Sequence, residues 1–163
     1  MTETKTATTQ EVHEAYLNLG LALRRAGDSA EAIEILRRAI AREPDSAAAH
    51  LALGLALLDH EQYDEAVEAL QKALELAPPD DRATRAAACF NLGVAQRKLG
   101  HYRQAVEAFE RALEFGHETA DLWHLLGDSL ARDKRLDEAL QAFDRAIALD
   151  PQQAEAHRRK GRT

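Results

Sequence analysis

At 163 residues the chain has the length of one compact domain or a short array of small units. It is 45% hydrophobic but only 5% aromatic, and a formal charge of −7 argues against a general nucleic-acid binder, which carries a basic face. A single cysteine excludes an intramolecular disulfide, and no apolar run reaches membrane-spanning length.

The chain opens with MTETKTATTQ, which has no apolar signal-peptide core. Residues 1–9 read as a short disordered tail, and a cytoplasmic location is expected. From residue 13 a helical stripe runs Tyr16, Leu19, Gly20, Leu23, at i, i+3, i+4, i+7 spacing. Gly27 marks its stop. Asp28 and Glu31 have the spacing of a capping box for a second helix. That helix carries Ala32, Ile33, Leu36, Ala39 and Ile40, and it ends before Pro44 because the residue preceding proline avoids the helical region.

The same pair of helices then returns. His50, Leu53, Gly54, Leu57 repeat the first stripe, as do Cys89, Leu92, Gly93, Gln96 and then Trp123, Leu126, Gly127, Leu130. Gly20 to Gly54, Gly93 to Gly127 and Gly127 to Gly161 are each 34 residues, while Gly54 to Gly93 is 39. Ala32, Ala66, Ala105 and Ala139 keep the same intervals, and Pro44, Pro78 and Pro151 keep the same phase. One five-residue insertion near PPDDRATR accounts for the long interval. No breaker lies between Asp81 and Gly93, so the insertion is predicted to lengthen the first helix of the third unit at its start. That unit lacks the proline, and Gly116 is its predicted C-terminal cap. The repeats are placed at 13–46, 47–80, 86–119 and 120–153, within a single domain spanning 10–161.

Four glycines at one helical phase cost about 1 kcal/mol each relative to alanine. Close approach of the paired helix would offset that cost, and small residues at Ala22, Ala56, Ala95 and Ser129 support it. Residues 152–160 read as the first helix of a fifth unit without a second. Lys160 stands there where Leu19, Leu53, Leu92 and Leu126 stand earlier, so this segment is predicted to be a solvating capping helix, ended by Gly161.

These residues resemble the tetratricopeptide repeat pattern W-x2-L-G-x2-Y, A-x3-F, P. The fourth unit fits it with Trp123, Leu126, Gly127, Leu130, Ala139, Phe143 and Pro151, and the first with Tyr16, Leu19, Gly20, Leu23, Ala32, Leu36 and Pro44. The resemblance implies an all-α fold, a right-handed superhelix of antiparallel helix pairs whose first helices line a concave groove for peptides or helices. The inner stripe it implies is Glu14, Leu17, Asn18, Leu21, Arg24, Arg25 in unit one and Ala48, Leu51, Ala52, Leu55, Leu58, Asp59 in unit two. Units three and four give Ala87, Phe90, Asn91, Val94, Arg97, Lys98 and then Asp121, His124, Leu125, Asp128, Ala131, Arg132.

An apolar or amphipathic protein segment is the expected partner. The ligand-binding residues expected are Leu17, Asn18, Leu21, Arg25, Leu51, Leu55, Leu58, Phe90, Asn91, Val94, Lys98, His124 and Asp128. Asn18 and Asn91 share one phase, and relatives use an amide there to bond a ligand backbone. The carboxylate clamp of chaperone-binding relatives is absent, since its positions here are Leu17, Leu21, Ala52, Ala87 and Asn91. The basic residues that end first helices, Arg24, Arg25, Arg97, Lys98 and Arg132, also suit the helix dipole.

Neither catalysis nor a bound cofactor is expected. The seven histidines show no His-Glu-x-x-His spacing, Cys89 has no cysteine partner for zinc, and the glycines are single and periodic rather than clustered for phosphate. Cys89 lies in an apolar run and reads as a buried thiol. The alternative function is structural, a solenoid that assembles with copies of itself.

Overall fold

The computed structural model describes residues 6–160, apart from the side chain of His157. Among them are nine α-helices and no strand. The described residues pack as two compact units that meet in sequence between Thr84 and Arg85. The first holds α1 (Thr9–Arg25), α2 (Ser29–Arg42), α3 (Ala47–Asp59) and α4 (Tyr63–Leu76). α5 (Arg82–Lys98) begins at the boundary, and α6 (Tyr102–Glu114), α7 (Ala120–Arg132), α8 (Leu136–Leu149) and α9 (Pro151–Lys160) complete the second.

Each repeat is a pair of helices, and the repeating glycine is where the pair closes. A Cβ built on Gly20 would stand 2.5 Å from Leu36 Cγ, and on Gly54 2.6 Å from Leu70 Cγ. On Gly93 it would stand 2.6 Å from the Phe109 ring and on Gly127 2.8 Å from the Phe143 ring. The large residue of the second helix therefore sits where a methyl would be. The packing gained there outweighs the helix propensity that glycine loses. Leu36, Leu70 and Phe109 are fully buried by this arrangement, each contributing about 1.5–3 kcal/mol of transfer free energy.

The first helices are capped by side chains. Thr8 Oγ1 accepts from Glu11 N while Thr8 N donates to Glu11 Oε2, a complete capping box. Ser46 and Thr119 cap α3 and α7, and Asp81 Oδ1 accepts from Thr84 N in α5. α1 thus starts at Thr9, inside the stretch read as a tail.

The second helices have no such caps. The capping box expected from Asp28 and Glu31 does not form, because Asp28 N–H is spent in the preceding turn, donating to Leu23 O at 2.9 Å. Gln62, His101 and Arg135 repeat that bond to Leu57, Gln96 and Leu130 at 2.9 Å. With φ near −90° and ψ of 61–72° these residues pass directly from one helix into the next.

These are Schellman turns, and each needs a left-handed residue just before the shared bond. Gly27 and Gly100 supply it at φ 88° and 80°, but Glu61 and Lys134 adopt φ 60° and 63° with a full side chain. A non-glycine residue there costs roughly 1–2 kcal/mol, partly recovered by its lower unfolded-state entropy. Glu61→Gly and Lys134→Gly are each expected to raise stability by about 0.5–1 kcal/mol in urea unfolding. An unchanged or lower midpoint would contradict this account of the turn.

The other boundaries follow the sequence. α2, α4 and α8 end at Arg42, Leu76 and Leu149, just before the Glu43-Pro44, Ala77-Pro78 and Asp150-Pro151 steps. Gly116, at φ 93°, terminates α6. The insertion lengthens α5 to 17 residues against 13 for α3 and α7. α9 begins at Pro151, where proline's missing N–H costs nothing, and Gln153 N donates to Asp150 Oδ1. Gly161, its expected terminator, lies outside the described residues.

Candidate functional site

Within the first unit, α1 lies beside α3, and Arg24 Nε donates to Asp59 Oδ2 at 2.6 Å. Leu17 and Leu21 on α1 and Leu51, Leu55 and Leu58 on α3 are all half-buried, while Asn18 and Arg25 are exposed. These leucines stand outside the cores of their own pairs, which α3 fills with Ala49, Ala56 and Leu57. Ala52, counted with the stripe, is buried and belongs to the core.

Within the second unit the stripe is more heavily engaged. Phe90 is half-buried, its ring 4.6 Å from the His117 ring and 5.9 Å from that of Phe109. Part of its surface is thus spent on packing against α6 and the turn after it. Asn91 Nδ2 donates to Ala87 O at 2.8 Å, so one of its donors serves its own helix. Val94 is half-buried, and Lys98 and His124 are exposed.

Asp128 bonds Arg97 Nε at 2.8 Å and faces Arg132 at 3.9 Å. The bases that end first helices therefore do more than answer the dipole. Arg24 and Arg97 tie one first helix to the next, each bond worth about 0–1 kcal/mol at this exposure.

The polar contacts of three residues, His13, His50 and Glu118, were not legible in the sequence. His13 is buried, with Nδ1 2.8 Å from Ala39 O and Nε2 3.6 Å from Glu43, which fastens α1 to the end of α2. His50 Nε2 lies 2.8 Å from Pro44 O. Glu118 Oε1 accepts from Arg145 Nη2 at 2.7 Å, from Arg145 Nε at 2.9 Å and from Trp123 Nε1 at 3.2 Å. The Arg145 bonds, then that of Trp123, hold its carboxyl below the usual range.

A groove of about 490 Å³, not legible in the sequence, lies where α9 meets α7 and α8. Phe143, Ala146, Ile147 and Ala154 line it with His124 and Arg158. Of these only His124 was a predicted site residue.

Cys89 is fully buried, and burial pushes its thiol pKa up against the smaller opposing pull of Arg111 and Arg85. At mildly alkaline pH a thiol reagent is expected to reach it only through opening of the helix pair, at a rate that climbs with added urea. Reaction in native buffer as fast as free cysteine would contradict the burial. Among the described residues no group of three or more His, Cys, Asp or Glu could hold a metal ion, and no helix is long and apolar enough to cross a membrane.

The tetratricopeptide repeat family profile matches residues 13–81 and 90–162, and the chain belongs to that family. Its fold is all-α, of the tetratricopeptide solenoid class, and the family is one of protein-interaction and scaffold modules. Among solved structures it is similar to MamA 41-end from Desulfovibrio magneticus RS-1, with 24% identity, a TM-score of 0.78, and 88% of this chain and 78% of that one covered. It is also similar to another MamA crystal structure at 26% identity and TM-score 0.77, covering 88% and 81%. MamA of MSR-1 shares 30% identity at TM-score 0.73, over 86% of this chain and 78% of that one. No curated protein sequence matches the chain.

Proposed function

We propose that the chain is a non-catalytic interaction module of the cytoplasm, an adaptor, scaffold or chaperone-like protein. It holds an apolar or amphipathic peptide or helix along the inner stripe of its first helices. The observation that carries this reading is the run of half-buried leucines, Leu17, Leu21, Leu51, Leu55 and Leu58, set outside the cores of their helix pairs. A row of partly wet aliphatic side chains on two adjacent helices is what the apolar face of a partner helix would dry. Arg25 at the exposed end of α1 would favour acidic residues beside the partner's apolar anchors.

The experiment is site-specific photo-crosslinking. A photoreactive residue at position 55 is expected to capture partner segments rich in apolar residues. The same residue at position 71, exposed on α4, is expected to capture none. Equal capture at both positions would contradict the stripe as the binding surface.

A second reading is self-assembly. It is favoured by one observation, the large apolar side chains left exposed on α1 and α8.

A further inference from the structure

Among the described residues the exposed large apolar side chains are Leu19 on α1 and Leu136, Leu140, Ile147 and Leu149 on α8. Against α8 the chain already places its own α9, where α7 stands against α6. The face around Leu19 is uncovered. Leu19 is 46% exposed, while Leu126, its counterpart in α7, is 3% exposed. Ala15 and Ala22, to either side of it, are exposed as well. Their equivalents in α3 and α7, Ala49, Ala56, Leu122 and Ser129, are fully buried. There the second helix of the preceding repeat supplies the cover, α2 on α3 and α6 on α7. α1 packs on α2 and α3 by its other sides.

The last helix is finished differently. α9 turns Gln152, Glu155, Arg158, Arg159 and Lys160 to solvent. The uncovered face of α1 is Ala15, Asn18, Leu19 and Ala22, about two turns without a charge. Exposed Glu11 lies before it and exposed Arg25 after it.

These four positions, i, i+3, i+4 and i+7, outline a hole on the helix surface, and Leu19 is a knob of the size that fills one. A patch that carries both knob and hole is complementary to itself. Take two α1 helices antiparallel, with a two-fold axis passing between Asn18 and Leu19. Each Leu19 would then enter the hole of the other helix, between its Ala15 and Ala22, and the alanines leave room for close approach. The same register sets Glu11 of each helix beside Arg25 of the other. Glu11 Oε2 accepts from Thr8 N, which leaves Oε1 for the guanidinium. Arg24, the neighbouring base, is held by Asp59 within the unit. Parallel pairing would instead bring Glu11 to Glu11 and Arg25 to Arg25, so charge selects the antiparallel order.

We propose that the occupant of this face is α1 of a second copy of the chain, in a two-fold antiparallel pair centred on Leu19. This rests on the self-assembly reading and uses neither the inner leucine stripe nor α8. Because the same patch serves both chains, the contact is isologous and assembly stops at two.

Light scattering across a concentration series tests it. The wild-type chain is expected to pass from one copy to two and no further. Leu19→Asp is expected to remain monomeric with an unchanged helical circular dichroism spectrum, and Leu19→Gln serves if the aspartate variant unfolds. Glu11→Arg and Arg25→Glu each set like charges across the pair at both ends. Each is expected to weaken self-pairing by at least about tenfold. An equimolar mixture of these two variants is expected to recover dimers, since both contacts then join opposite charges. Pairing of Leu19→Asp as strong as wild type, failure of the charge-reversed mixture to pair, or growth of the wild type past two copies would overturn the α1 pair while leaving self-assembly standing. A wild-type chain monomeric at every concentration would overturn both and leave the inner leucine stripe untouched.

Discussion

Phe109→Ala is expected to lower the stability of the second unit by about 3–5 kcal/mol, the range for removing a buried phenylalanine side chain. Phe109 is fully buried, and its ring occupies the space that a Cβ on Gly93 would claim at 2.6 Å. The void would open in the seam between α5 and α6, where helical backbone on both sides resists collapse. Gly93→Ala reaches the same seam from the other side. It gains about 1 kcal/mol of helix propensity but forces the ring to move, a net cost of about 1–2 kcal/mol. The double variant discriminates this mechanism from general fragility. A methyl at position 93 would partly fill the cavity left at 109, so the two losses are expected to sum to more than the combined loss. Strict additivity in chemical unfolding, followed by circular dichroism, would show that the two positions do not share one space.

Leu55→Asp is expected to weaken capture of an apolar partner segment by at least about 30-fold, the size of a central hot spot of roughly 2 kcal/mol or more. The fold should survive, because Leu55 is half-exposed and lies outside the core of α3, which rests on Ala49, Ala56 and Leu57. Phe90→Asp is a poorer test. Its ring packs on His117 and Phe109, so the substitution would loosen the second unit as well as remove an anchor. Fluorescence anisotropy with a labelled segment recovered by crosslinking at position 55, beside an unfolding curve of the variant, separates binding from stability. Undiminished affinity for Leu55→Asp would remove that side chain from the binding surface.

The helix pairs were legible because a 34-residue period is written redundantly, in glycines, alanines and prolines that each report a separate packing demand. The long α5 was legible for the same reason, since its insertion carries no breaker. What escaped the sequence is what depends on neighbours in space. Asp28 looks like a capping residue, but the turn before it had already claimed its backbone N–H. Glu61 and Lys134 give no sign of a left-handed conformation, and only their phase with Gly27 and Gly100 could have pointed to it.

The site was legible as a row of side chains, and less so as a surface. Asp128 is drawn toward Arg97 and Asn91 toward Ala87, partners that sit on the same or an adjacent helix and that spacing alone does not select. The leucines of α1 and α3, like Phe90 and Val94, are half-buried and lie outside the fully buried core.

Methyl NMR during titration with the crosslinked segment tests the binding reading most directly. The methyls of Leu17, Leu21, Leu51, Leu55 and Leu58 are expected to shift first and furthest, while those of Leu36 and Leu70, buried against Gly20 and Gly54, stay in place. Shifts confined to Leu136, Leu140 and Ile147 on α8, with the α1 and α3 leucines unmoved, would contradict it.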